Sequence, residues 1–204
     1  MILFLQGCGN NTQHNQSRRE GNTEPGQGSD ASGQGKQLEA IKELPQESVY
    51  QMTEEWHDQQ GDTIQLKNLR GKIPVLAMVF THCEFACPRT IADMKKISSE
   101  IPPDKASEVI FVLVSFDTER DQPQRLKEFA EMMGLKDNWL LLHGDEEAVR
   151  MLSMLLDVKY QKQAGGYFAH SNIVTLLNKE GVIVRQEEGL GLNPGPMLSA
   201  ISGL

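Results

Sequence analysis

Cys83 and Cys87 stand four residues apart in the segment Thr81-His82-Cys83-Glu84-Phe85-Ala86-Cys87-Pro88. An apolar run, Val75–Thr81 (VLAMVFT), precedes them, and a helical pattern follows with Ile91, Met94, Ile97 and Ile101 at helical spacing. The pair therefore closes a strand and opens a helix, and Pro88 suits a first helical turn. Cysteines four apart at a helix start lie on roughly the same face, so both sulfurs can reach one metal ion or each other. A helix N-terminus favours thiolate over thiol and raises reactivity. Two chemistries fit: a redox dithiol, or a site for a soft metal. Two cysteines are too few for a structural zinc site, which takes four ligands. The chain has only three cysteines, too few for a disulfide scaffold.

The elements that position this pair are legible as short apolar segments. Val75–Thr81 and Val109–Phe116 (VIFVLVSF) are buried strands. Pro88–Ile101 is a helix. Gln122–Met133 is a second, with Leu126, Phe129, Ala130 and Met133 on one face and Gly134 as its stop. Trp139–Leu142 is a third strand, and Asp145 is the N-cap of a helix over 145–156. Ile173–Leu177 and Val182–Gln186 flank Asn178-Lys179-Glu180-Gly181, a hairpin signature, and Pro194–Ile201 is a last helix. Alternating units predict a mainly parallel sheet with helices on both faces, made mixed by the closing hairpin. A thioredoxin-like α/β fold satisfies this order; a flavodoxin-like one would lack the late hairpin.

The residues before this domain read differently. Met1-Ile2-Leu3-Phe4-Leu5-Gln6-Gly7-Cys8 is a short apolar run ending in Leu-x-Gly-Cys, which resembles a bacterial lipobox. That resemblance implies lipidation at Cys8. The run lacks a basic n-region and is about half the usual ~7–15 residues, so it is read as a truncated signal. Twenty of the twenty-nine residues in 9–37 are Gly, Gln, Asn, Ser or Thr. Such a stretch cannot offset its chain entropy by burial. Residues 9–43 are expected to be a disordered linker, with an rms reach of ~30 Å, and residues 44–204 to be the folded domain. No apolar run approaches the ~18 residues that a membrane span needs.

Formal net charge is −8, and residues 9–37 are neutral, with three basic and three acidic side chains. The excess sits in the folded part. This excludes a nucleic-acid partner, which needs a basic face, and is compatible with a cationic partner or a metal ion.

Three blocks together resemble the Sco/SenC family: the Cys-x-x-x-Cys-Pro segment, then Val114-Ser115-Phe116-Asp117-Thr118-Glu119-Arg120-Asp121, then Phe168-Ala169-His170-Ser171, with His170 standing 83 positions after Cys87. The resemblance covers about residues 48–190. It implies a thioredoxin-like copper protein of the kind found in the bacterial cell envelope and the mitochondrial inner membrane; with the lipobox, the expectation is a bacterial envelope protein lipid-anchored to a membrane. The family helps to mature the binuclear copper centre of cytochrome c oxidase, acting through copper, through thiols, or through both. Cys83 and Cys87 match its thiolate ligands, His170 its imidazole ligand, and Asp117 its acidic residue near the site. The implied cofactor is copper, Cu(I) or Cu(II), which two thiolates and one imidazole suit. The implied partner is the copper-centre subunit of the oxidase or another envelope copper protein. An extracytoplasmic thiol–disulfide oxidoreductase without a copper role is the alternative. A peroxidase fits least, for want of the usual Thr/Ser-x-x-Cys setting and supporting Arg. His170-Ser171 stands where thioredoxins typically place a cis proline, which favours metal.

The family often has Pro and Asp between the cysteines, where this chain has Glu84 and Phe85, and Asp-Pro where it has Asp117-Thr118. Glu84 is expected to raise the thiol pKa values and favour a bound cation. Elsewhere the bland reading prevails. His82 at a strand end and His143 in a loop are surface residues, and His57 has no evident partner. Met132, Met133, Met151 and Met154 belong to core and helix surface. Asp117 alone could simply cap a turn.

Overall fold

The computed structural model describes residues 43–204. The expectations for Cys8 and most of the 9–43 linker lie outside the described residues. In chain order the elements are β1 (Trp56–Asp58), β2 (Thr63–Ile64), β3 (Ile73–Val79), α1 (Ala86–Glu100), β4 (Val109–Ser115), α2 (Pro123–Met132), β5 (Trp139–His143), α3 (Glu146–Leu155), β6 (Tyr160–Lys162), β7 (Phe168–His170), β8 (Ile173–Leu177), β9 (Ile183–Glu188) and α4 (Pro194–Ser202). Among the described residues no helix is long and apolar enough to cross a membrane.

β3 is buried along its whole length, and β4 at every position but Ile110. Strands covered on both faces need an unbroken apolar run, which is what these segments supply. They pair in parallel with each other, and β4 pairs in parallel with β5. The main sheet runs β2-β1-β5-β4-β3-β8-β9. Every other pairing in it is antiparallel, so the sheet is mixed but not mainly parallel as the alternation predicted. β1 and β2 account for part of the difference. They are short strands on the far edge, with no apolar run to announce them. α1 buries Ile91, Met94 and Ile97, and α2 buries Leu126 and Phe129, each on the predicted face. Asp145 caps α3 by accepting from the Ala148 N–H at 2.7 Å.

The β8–β9 hairpin is built as its turn residues require. Asn178 Oδ1 accepts from the N–H groups of Glu180 and Val182, both at 3.0 Å. Gly181 has φ +79°, and a Cβ there would lie 2.6 Å from the Tyr50 ring and 2.7 Å from Ser48 Oγ. Both objections to a side chain act together: a left-handed backbone and a closed packing site. Gly181→Ala is expected to destabilise the fold by about 2–4 kcal/mol, from the left-handed penalty plus overpacking. A lowered urea midpoint with an unchanged slope is the readout, and an unchanged midpoint refutes it.

Register fixes what meets at one edge. In the parallel pair, Val79 lies opposite Ser115, so both strands end together and their loops run side by side. β8 is antiparallel to β3, with Val174 opposite Ala77, so β8 begins at that same edge. Residues just before Ile173 are delivered there as well. This is the carboxyl edge of the parallel strands, the usual place for function in such sheets.

Candidate metal centre

Cys87 lies in the first turn of α1 and is fully buried, while Cys83 precedes the helix in the turn that follows β3 and is half-buried. The helix begins two residues earlier than its apolar spacing predicted, and only one of the two cysteines is on it. A turn, not a shared helix face, therefore presents Cys83: its N–H donates to the Phe80 carbonyl at 3.2 Å. The Cys87 N–H donates to Cys83 Sγ at 3.3 Å.

His170 is the last residue of β7, which pairs with β6 in a separate two-stranded sheet. That arm had no counterpart in the sequence reading, which placed His170 simply before an apolar strand. Its Nδ1 lies 3.0 Å from the Ser171 carbonyl. A carbonyl only accepts, so this nitrogen carries the proton and Nε2 faces the sulfurs. Nε2 is 3.8 Å from Cys87 Sγ. The ring packs against Phe116 at 4.9 Å and Phe80 at 6.0 Å between centroids. One donor atom from each of Cys83, Cys87 and His170 lies within 4.8 Å of the others.

The two thiols are unlike. The Cys83 thiol is lowered to about 3, first by a hydrogen bond from the Cys87 thiol, then by His170 and the N–H groups of Cys87 and Phe85, against an opposing desolvation. Cys87 is pushed up because its protonated form donates a hydrogen bond to the Cys83 sulfur, and by burial. The expected rise from Glu84 does not occur at Cys83. Glu84 is exposed to water, while the donors touch the sulfur directly. The metal-free, reduced protein should consequently be alkylated at Cys83 at a rate independent of pH from about 5 to 8. An ordinary thiol gains about tenfold per unit over that range. The sign follows from the direction of the shift: the thiolate is already formed above its lowered pKa and is lost only as pH falls towards it. Iodoacetamide kinetics with mass-resolved labelling decide this, and a rate that climbs like a free thiol's refutes it.

Asp117 is buried, but it does not reach towards the sulfurs through any bond of its own. It accepts from the Arg120 N–H at 3.2 Å and pairs with the Arg120 guanidinium. Asp121, which ends the second resemblance block and has no role assigned by it, is the carboxylate that ties the cysteine loop to the sheet. It accepts from Thr81 N–H at 2.8 Å, Thr81 Oγ1 at 2.6 Å and Ser115 Oγ at 2.5 Å. His82, Asp117 and Asp121 also bring ligand atoms within 4.8 Å of one another. Their carboxylate oxygens are taken up by these donors, so this second group is a brace. His82 is exposed at the surface as expected, 3.6 Å from Asp121 Oδ1. His143 is not in a loop. It ends β5, half-buried, with its ring stacked 6.4 Å from that of His57. His57 does have a partner, Thr63 Oγ1 at 3.2 Å.

The SCO1/SenC family model matches residues 44–203. The SCO1 protein homolog of Bacillus subtilis (strain 168) is 27% identical over 146 residues, covering 68% of this chain and 74% of that protein. A relative from Stutzerimonas stutzeri, provisionally named a copper-binding protein, is 27% identical over 128 residues. That match covers 61% of this chain and 62% of the relative, less than two thirds of its length. Among solved structures, a SCO1/SenC family lipoprotein from Bacillus anthracis str. Ames superposes with a TM-score of 0.67 at 25% identity, covering 74% of this chain and 91% of that one.

Proposed function

This chain belongs to the SCO1/SenC family, and from that premise we propose that it is a copper-binding, thiol-redox-active assembly factor for the binuclear copper centre of a respiratory cytochrome c oxidase. The observation that carries the reading is the convergence of two sulfurs and one imidazole nitrogen at the carboxyl edge of the sheet. Two thiolates and a neutral imidazole are soft and borderline donors, which fit copper in either oxidation state and fit magnesium or calcium poorly. Cys83, Cys87 and His170 would hold the ion. Copper here is cargo: partner cysteines can take it by replacing one ligand at a time. The half-buried Cys83 is the sulfur open to such exchange, and Cys87 beneath it is the one that stays until last.

A second reading rests on the contrast between the two thiols. An accessible thiolate above a buried thiol is the arrangement for attack and resolution in disulfide exchange. Cys83 would attack a partner disulfide, and Cys87 would then displace it. The partner gains two electrons and two protons, and Cys83–Cys87 becomes a disulfide. In the bacterial cell envelope both activities serve the same target, since copper-centre cysteines must be reduced before they can accept metal. Anchoring through a lipid on Cys8 would hold the domain at a membrane; the Bacillus anthracis relative is named a lipoprotein.

Metal content tests the proposal. The reduced full chain, given copper without oxygen and then desalted, should retain one copper per chain. Retention below about a tenth of an equivalent would refute copper carriage and leave the disulfide reading.

A further inference from the structure

We propose that Arg120 is a positioning residue that locks the β6–β7 arm, and with it the His170 imidazole, against the cysteine loop. The inference rests on the reading of His170 as a metal ligand. Arg120 lies in the loop after β4. Its Nε donates to Asp117 Oδ2, and its Nη2 donates to the carbonyl of Gly166 at the tip of the arm, 46 residues away.

Each end of this bridge is held. Asp117 is buried, and its own N–H donates to Ser115 Oγ at 3.0 Å. Ser115 closes β4 opposite Val79, so the anchored end shares the edge from which the cysteine loop departs. At the other end, Gly166 has φ +77°, and a Cβ there would lie 2.9 Å from Arg120 Nη1. Backbone and guanidinium are thus in direct contact, and a side chain at 166 would have to displace the guanidinium. A planar fork can serve a carboxylate and a carbonyl at once, which a lysine ammonium cannot do with the same fixed geometry.

The arm needs such a hold. It is two strands of three residues, with Tyr160 opposite His170 and Lys162 opposite Phe168. A two-stranded sheet is marginal in water by itself. At its base, Phe116 stacks on Tyr160 at 5.3 Å, and two pairs further along, at the level of Lys162, Phe80 meets Phe168 edge-on at 5.2 Å. Towards the tip, the Lys162–Glu119 pair at 2.7 Å is exposed and contributes little. Beyond the last strand pair, Arg120 makes a partly buried contact with the turn itself. A loop that gives no ligand to the Cys83–Cys87–His170 group therefore helps to set where its third ligand stands.

The test compares Arg120→Ala, Arg120→Lys and Gly166→Ala with the parent full chain, using two measurements. In the metal-free protein, amide hydrogen exchange over 160–170 should speed up at least tenfold in Arg120→Ala while β3 and β4 keep their protection. Cu(II) affinity should fall about 10–100-fold, the range for loss of an outer partner, and the fall should disappear when His170→Ala is already present. Arg120→Lys should follow Arg120→Ala, since charge alone does not bridge. Gly166→Ala should do the same with Arg120 retained, and it carries the test should Arg120→Ala fail to fold. Unchanged exchange in the arm overturns the proposal, as does full rescue by lysine. So does a Cu(II) loss that persists in the His170→Ala background. If His170→Ala itself leaves Cu(II) binding intact, the ligand reading has failed instead, and the exchange data still decide the bridge.

Discussion

Replacing either Cys83 or Cys87 by serine should abolish both copper retention and disulfide exchange. A hydroxyl is a poor ligand for Cu(I) and cannot form a disulfide, so one substitution removes half of the thiolate set and all of the redox couple. Copper affinity should fall by well over a hundredfold, beyond the 10–100-fold that loss of an outer partner costs. The two variants should differ in stability. Cys83 is half-buried and its serine variant should unfold like the parent. Cys87 is fully buried among core residues, where an added hydroxyl must find a partner or cost about 1–3 kcal/mol. Cys87→Ala separates the two effects by removing the sulfur without burying a polar group. Copper stoichiometry after desalting and the rate of disulfide reduction are the measurements. One copper per chain retained by Cys83→Ser would remove that residue from the site.

His170→Ala should split the two activities. Cu(I) is satisfied by two thiolates, whereas Cu(II) favours nitrogen donors and a higher coordination number. The variant should therefore lose at least about tenfold in Cu(II) affinity, with a changed absorption spectrum, while keeping most of its Cu(I) affinity. The dithiol should still oxidise, since Cys83 and Cys87 lie four residues apart and need nothing from the arm to meet. Cys83 loses the second largest of the contacts that lower its pKa, but keeps the largest, the Cys87 thiol, and the two N–H groups. Cu(II) binding with unchanged affinity and spectrum would show that His170 is not a ligand, and disulfide exchange would become the leading function.

Much of this protein was legible in local sequence because its core elements are locally patterned. Unbroken apolar runs mark β3 and β4, which are buried on both faces. Turn chemistry at Asn178–Gly181 marks the β8–β9 hairpin, and the same four-residue spacing that suggested a metal or redox pair keeps the two sulfurs together in the fold. The cysteine pair is a local feature, so its chemistry is readable without knowing what lies across the sheet. The Sco/SenC resemblance added His170, which spacing alone would have left as an ordinary turn residue.

Tertiary structure decided the rest. β1, β2 and the β6–β7 arm were missed because residues such as Tyr160-Gln161-Lys162 are half-exposed or exposed and show no alternation. A pattern appears only where one face is pressed against a core. Asp117 and Asp121 look alike in sequence, four positions apart. Which one braces Thr81 and which one holds Arg120 depends on the paired ends of β3 and β4, a register no single segment contains. The unequal thiols have the same origin. Cys83 and Cys87 are chemically identical, and only burial of one beneath the other, with N–H donors aimed at the outer sulfur, sets them apart. The bridge from Arg120 to Gly166 spans 46 residues. Short-range physics writes apolar period and turn chemistry into neighbouring residues; hydrogen bonds between distant loops exist only once the sheet has placed those loops side by side.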